Sequence, residues 1–123
     1  MNNSKLVKSV FCAIAVLGSG ALFSNSVYAA DDSAGSKVFH SQDCTGCHGT
    51  KGEGIPGLAP PLKGSQFVSS ASEQDIVHTI KFGRSGSDKH FKDLSQPMPA
   101  HPNLTDQQLK DLVQYLKGEL QKG

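Results

Sequence analysis

The sequence has little net charge, no apolar run long enough to cross a membrane and few large apolar side chains. Its 123 residues carry 12 Lys and Arg against 11 Asp and Glu, a formal net charge of +1. The composition therefore does not indicate a basic surface, and it does not support nucleic-acid binding. Tryptophan is absent and aromatic residues make up 7% of the chain. A domain this small often needs a disulfide, a metal or another bound group to complete its core.

Residues 1–29 have the pattern of a secretory signal peptide that is removed. Lys5 and Lys8 give a basic start, residues 10–23 are apolar, and residues 27–29 form a small-x-small cleavage site. The apolar segment is shorter than the ~20 residues of a membrane-spanning helix, so we expect no span in the mature chain. Cleavage leaves 10 basic and 11 acidic residues in one domain, residues 30–123, with a net charge of about −1. We expect this domain in the periplasm.

Loss of Cys12 with the signal peptide leaves two cysteines, in the motif Cys44-x-x-Cys47-His48. Export would normally favour a disulfide between them. A thiol–disulfide redox site is expected at a helix start that follows a strand, and residues before Cys44 do not have a strand pattern. A structural zinc site usually adds a second closely spaced Cys or His pair, which the scattered histidines do not supply.

Covalent attachment of a c-type haem accounts for the spacing best, because C-x-x-C-H is its signature. Two thiols add to the two vinyl groups of the porphyrin, so Cys44 and Cys47 become thioether tethers. The adjacent imidazole of His48 is then placed to bind the iron. The motif thus predicts one covalent haem c with His48 as an axial ligand.

A second axial ligand is predicted at Met98, the one methionine left outside the signal peptide. Pro97 and Pro99 flank it, and fixed proline backbone angles lower the entropy lost when the sulfur is held over the iron. His101 is the main alternative as the second axial ligand. The other histidines are expected at the surface: His40, His78 and His90.

Three helices and long connecting loops are predicted, with no alternating strand pattern, so the fold class is all-α. The first helix covers Ser33 to Ser41. The second begins at Ser72 and ends at Gly83, and the third begins with a capping box of Thr105 and Gln108. An apolar stripe marks the third helix: Leu109, Leu112, Val113, Leu116 and Leu120. The loops at 49–71 and 84–103 are long for so small a domain, which favours a role in wrapping a ligand.

Together these motifs resemble the class I monohaem cytochromes c over nearly the whole mature chain. The resemblance implies the cytochrome c fold, in which an N-terminal helix crosses the C-terminal helix through a glycine and an aromatic residue. Gly35 and Phe39 match the first helix, and Leu112 and Tyr115 could face them on the last.

The resemblance also assigns residues 57–65 to the segment beside the ligand histidine. There a proline carbonyl accepts a hydrogen bond from the imidazole; Pro60 is the matching position, with Pro61 as the neighbouring alternative, and Leu62 packs on the haem. Residues 52–57 match G-x-G-x-x-G, but they lack the preceding strand of a nucleotide-binding site. Their glycines are expected to let the backbone turn close to the haem.

The expected function is one-electron transfer by a His/Met-ligated haem, not enzymatic catalysis. Alternatives are a cytochrome subunit of a larger dehydrogenase or oxidase, or a small haem peroxidase or gas sensor in which Met98 dissociates. Partners would be redox proteins of a respiratory chain, soluble or membrane-bound, and the protein itself a monomer. A basic cluster before Met98 is either a docking patch for an acidic partner or a solvated face: Lys81, Arg84, Lys89 and Lys92.

Overall fold

A computed structural model describes residues 33–123. The predicted signal peptide, including Cys12, lies outside these residues. Residues 33–123 form six α-helices and one 3-10 turn, in chain order: α1 Ala34–Ser41, α2 Cys44–His48, α3 Gln66–Ser70, α4 Glu73–Phe82, the 3-10 turn Gly86–Asp88, α5 Asp106–Lys117 and α6 Glu119–Lys122. Residues 33–123 contain no β-strand, only two isolated bridges, so the all-α prediction is confirmed.

The core is the crossing of α1 with α5. Leu109, Leu112, Val113 and Leu116 of the predicted stripe are buried, with Leu120 of α6 beyond them. Phe39 packs its ring against Tyr115, with ring centroids 5.6 Å apart. A Cβ on Gly35 would overlap the backbone oxygen of Asp111 and the Cβ of Tyr115. The glycine and aromatic crossing that the resemblance implied is therefore present, and it brings the two helix backbones into direct contact.

Capping boxes begin both long helices after the first. In α4 the Ser72 hydroxyl accepts a hydrogen bond from the Asp75 N–H at 3.1 Å, and the Asp75 carboxylate accepts from the Ser72 N–H at 3.3 Å. Thr105 and Gln108 make the same reciprocal pair at the start of α5. Each box satisfies backbone donors that the first turn leaves free, which is why both helices begin where the sequence predicts.

The Asp75 side chain makes the stability of α4 dependent on pH. Its hydrogen bonds with the Ser72 side chain and backbone lower the pKa of Asp75. Because the folded pKa lies below the unfolded one, the stabilisation is present above the unfolded pKa and is lost as pH falls through the folded pKa. We expect Asp75→Asn to flatten the acid limb of stability against pH, measured by urea midpoints from neutral to acid. Ser72→Ala removes the partner and should flatten it too; an unchanged slope in both variants would contradict this assignment.

The loop predicted at 49–71 is partly helical, which corrects the expectation of one long irregular segment. Ser65 caps α3, its hydroxyl accepting from the Val68 N–H at 3.3 Å. The Lys117 ammonium of α5 donates to the carbonyls of Val68 and Ala71 at 3.2 and 2.6 Å. A cation on the last carbonyls of a helix stabilises its C-terminus. Five residues are too few for a periodic sequence pattern, and α3 depends on this distant lysine.

Candidate haem-binding site

One cavity of about 230 Å³ brings together residues from α1 to α5 and both long loops. Every predicted site residue lines it: Cys44, Cys47, His48, Pro60, Leu62 and Met98. Phe39, Leu112 and Leu116 extend the helix-crossing core into its wall. The cavity explains why the domain has few large apolar side chains, because a bound group would fill this part of the core.

The motif itself is helical, which the sequence did not predict. Cys44, Cys47 and His48 lie in α2 at positions i, i+3 and i+4, which share one face of a helix. Asp43 separates α2 from the preceding helix with a left-handed φ of 59°, a conformation that aspartate tolerates better than most residues. The break turns the chain so that α2 presents both thiols and the imidazole to the cavity.

A hydrogen bond orients the His48 ring. Its Nδ1 lies 2.9 Å from the carbonyl oxygen of Pro60. A carbonyl can only accept, so Nδ1 carries the proton and Nε2 keeps its lone pair as a metal ligand. Burial lowers the pKa of His48, and the bond to Pro60 only partly offsets that effect. Burial therefore favours the neutral ring, which is the form that binds iron.

The backbone around Pro60 is fixed by glycine. Gly54 has a φ of +76°, and a Cβ there would lie 2.6 Å from the Pro61 nitrogen. Its N–H donates to the His48 carbonyl at 2.7 Å. The glycine-rich stretch 52–57 therefore brings two backbone segments together beside His48.

The segment that carries Met98 pairs with the end of α4. Arg84 and Met98 exchange both backbone hydrogen bonds, at 3.0 and 2.9 Å. The His101 N–H donates to the Ile80 carbonyl at 2.9 Å. Both Met98 and His101 line the cavity, so the geometry leaves each available as a ligand. His40 and His78 are exposed and are not part of the cavity wall.

Two cations of the predicted basic cluster point to the cavity wall and are held there. The Arg84 guanidinium lies 4.7 Å from the centre of the Phe67 ring and donates to Thr79 Oγ1 at 3.0 Å. The Lys89 ammonium donates to the Leu94 carbonyl. Arg84 and Lys89 are therefore half-buried and held by contacts within the protein.

The lining fits a haem. Its side chains are mostly apolar, as a porphyrin requires, and Arg84 and Lys89 add positive charge suited to the carboxylates of that group. No sequence pattern indicated that Arg84, Phe67 or His90 would line the cavity. The His90 ring lies 5.2 Å from that of Phe67. These contacts depend on how the loop after α4 folds back over α3.

Cys44 is poorly suited to disulfide exchange. Burial raises the pKa of its thiol to about 11. Disulfide exchange requires a thiolate, whose pKa is lowered at reactive sites. The preceding element is α1 rather than a strand, and residues 33–123 contain no cluster of three His, Cys, Asp or Glu side chains able to hold a metal ion. Neither the redox nor the zinc alternative gains support.

Comparison with known proteins agrees with the fold. Residues 33–118 match the family model described as cytochrome c. The c-type cytochrome XoxG from Methylobacterium extorquens AM1 has a crystal structure that superimposes with a TM-score of 0.54 at 25% identity, covering 71% of this chain and 48% of that chain. The present chain thus spans about half the length of XoxG. A search of curated proteins found no significant match.

Two further solved structures are similar at lower scores. The c-type cytochrome KustC0563 is 23% identical with a TM-score of 0.49, covering 72% of this chain and 98% of that one. Cytochrome c552 from Nitrosomonas europaea is 21% identical with a TM-score of 0.47, covering 69% and 98%.

Proposed function

We propose that this chain is an exported one-electron carrier with His48 and Met98 as the axial ligands of its haem. The chain belongs to the cytochrome c family, and it therefore carries a covalently attached haem c for electron transfer. Cys44 and Cys47 are the thioether tethers. When bound, the haem iron supplies reversible one-electron chemistry between its ferrous and ferric states. In this proposal residues 1–29 direct export and are removed, leaving residues 30–123 as a monomeric periplasmic domain.

The observation that carries the proposal is the bond from His48 Nδ1 to the Pro60 carbonyl, in the same cavity as Met98. The bond fixes the ring with Nε2 free to bind iron. The thioether of Met98 is a soft ligand that favours the ferrous state and raises the potential. The apolar wall excludes water, so oxidation state can change with little rearrangement of the surrounding side chains. A site held closed at both axial positions suits transfer of electrons rather than catalysis.

Partners in this proposal are redox proteins, soluble or membrane-bound, in a respiratory chain. Within residues 33–123 no helix is both long and apolar enough to span a bilayer. A permanent place as the cytochrome subunit of a larger dehydrogenase or oxidase involves the same haem chemistry. A peroxidase or gas sensor differs, because Met98 would have to leave the iron.

The purified holoprotein distinguishes a closed carrier site from an open one. We expect a c-type spectrum that survives acid-acetone extraction, reversible one-electron voltammetry and no change on adding carbon monoxide to the ferrous form. Millimolar imidazole should leave the ferric spectrum unchanged, because Met98 occupies the sixth position. Ready binding of either ligand by the native protein would overturn the carrier proposal in favour of a sensor or peroxidase.

A further inference from the structure

The side-chain amide of Gln121 joins the C-terminal helix to the segment that follows Pro60. Its Oε1 accepts a hydrogen bond from the Gly64 N–H at 2.8 Å, and its Nε2 donates to the Leu62 carbonyl at 3.1 Å. Nε2 also donates to the Leu116 carbonyl at 2.7 Å, which fixes the amide to the last turn of α5. Gln121 lies in α6, beyond the residues that match the family model.

The segment held by Gln121 is tied on its other side to the loop after α2. The N–H groups of Leu62 and Lys63 both donate to the Gly52 carbonyl, at 2.8 and 2.9 Å. Leu120, next to Gln121, packs against Gly52, where an added Cβ would lie 2.8 Å from its Cδ2. Consecutive residues of α6 therefore contact both arms of this loop.

We propose that Gln121 is a positioning residue for His48, and that it sets the strength of the His48–Pro60 hydrogen bond and through it the reduction potential. Leu62 comes two residues after Pro60, so its backbone and the Pro60 carbonyl move together. Without the amide, residues 62–64 keep the bonds to Gly52 and a local bond from the Ser65 N–H to the Leu62 carbonyl at 3.2 Å. The inference rests on the proposed role of His48 as an iron ligand.

The direction of the effect follows from the basicity of the imidazole. A strong bond from Nδ1–H to a carbonyl makes the ring a better electron donor, which stabilises ferric iron. Loosening residues 62–64 weakens this bond and lowers the basicity. The ferrous state is then favoured, and the reduction potential rises.

The test uses holoprotein with Gln121→Leu, which keeps the side-chain volume and removes all three bonds, and Gln121→Ala as a second variant. Gln114→Leu is the control, because Gln114 is an exposed glutamine of α5. We expect the ferrous-to-ferric ratio at fixed potential to rise about threefold in both Gln121 variants, roughly 30 mV at 59 mV per tenfold for one electron. By NMR, exchange of the His48 Nδ1 proton should be about fivefold faster, and the control should match wild type in both measurements.

A purely structural role for Gln121 gives a different result. Lower thermal stability with an unchanged potential and unchanged Nδ1 proton exchange would overturn the inference while leaving the proposed function intact. If the His48 ring protons of the native protein show no shift from the iron, His48 is not a ligand, and the proposed function fails together with the inference. Should Gln121→Ala fail to fold, the Gln121→Leu protein decides.

Discussion

Met98→Ala is expected to lower the reduction potential by on the order of 0.1–0.3 V, part of the ~0.8 V range that axial ligands span. The thioether stabilises ferrous iron, and alanine offers no replacement ligand. The pairing of Met98 with Arg84 should survive the substitution, because it uses backbone atoms alone. Voltammetry gives the potential. Loss of the weak sulfur-to-ferric-iron charge-transfer band and new binding of carbon monoxide report the open sixth position.

His101→Ala is the matched comparison, since His101 lines the same cavity and is also held through its backbone, by the bond to Ile80. If Met98 is the ligand, this variant keeps the native potential and charge-transfer band. The reverse pattern, with a native spectrum in Met98→Ala and a changed one in His101→Ala, would contradict the assignment and make the histidine the ligand.

The parts of the fold that sequence could predict are those fixed by local chemistry. The capping pairs at Ser72 and Thr105 mark helix starts through bonds made within one turn, so they are visible in sequence. The apolar stripe of α5 shows which face of the helix is buried. The C-x-x-C-H spacing indicates the covalent attachment of a haem. Each of these signals needs only residues within a few positions of one another.

The parts that sequence could not predict depend on contacts between distant residues. The helix α3 has its C-terminal carbonyls satisfied by Lys117, 46 residues after Ala71. Arg84 is drawn to the cavity by the Phe67 ring and Thr79, although its charge alone suggested a solvated surface. Gln121 belongs to no sequence motif, and its bonds to Leu62 and Gly64 form only because α6 lies against residues 62–64. In each case one polar side chain satisfies backbone or ring partners that another element supplies.

Gly35→Ala is expected to destabilise the holoprotein by about 3 kcal/mol, the upper part of the range for overpacking. The added methyl would overlap the Asp111 backbone oxygen as well as the Tyr115 Cβ. A backbone atom cannot turn aside as a side chain can, so α1 and α5 must move apart. Separation also opens the contact between Phe39 and Tyr115. Alanine has a better helix propensity than glycine, but this offsets only ~1 kcal/mol. The net decrease in the free energy of unfolding should be clear in urea unfolding.

Gly46→Ala is the control that separates the crossing from helix propensity. Gly46 lies in α2, and the atoms nearest an added Cβ there belong to the Asp43 carboxylate, the closest at 2.9 Å. That side chain makes no capping bond and is free to rotate away, so the variant should be as stable as the native protein or more so, by up to ~1 kcal/mol. Equal stability of the two alanine variants would show that the helices separate at no cost. Because Phe39 and Leu112 also line the haem cavity, a real separation at Gly35 should further broaden the NMR signals of the haem, whereas Gly46→Ala should leave them sharp.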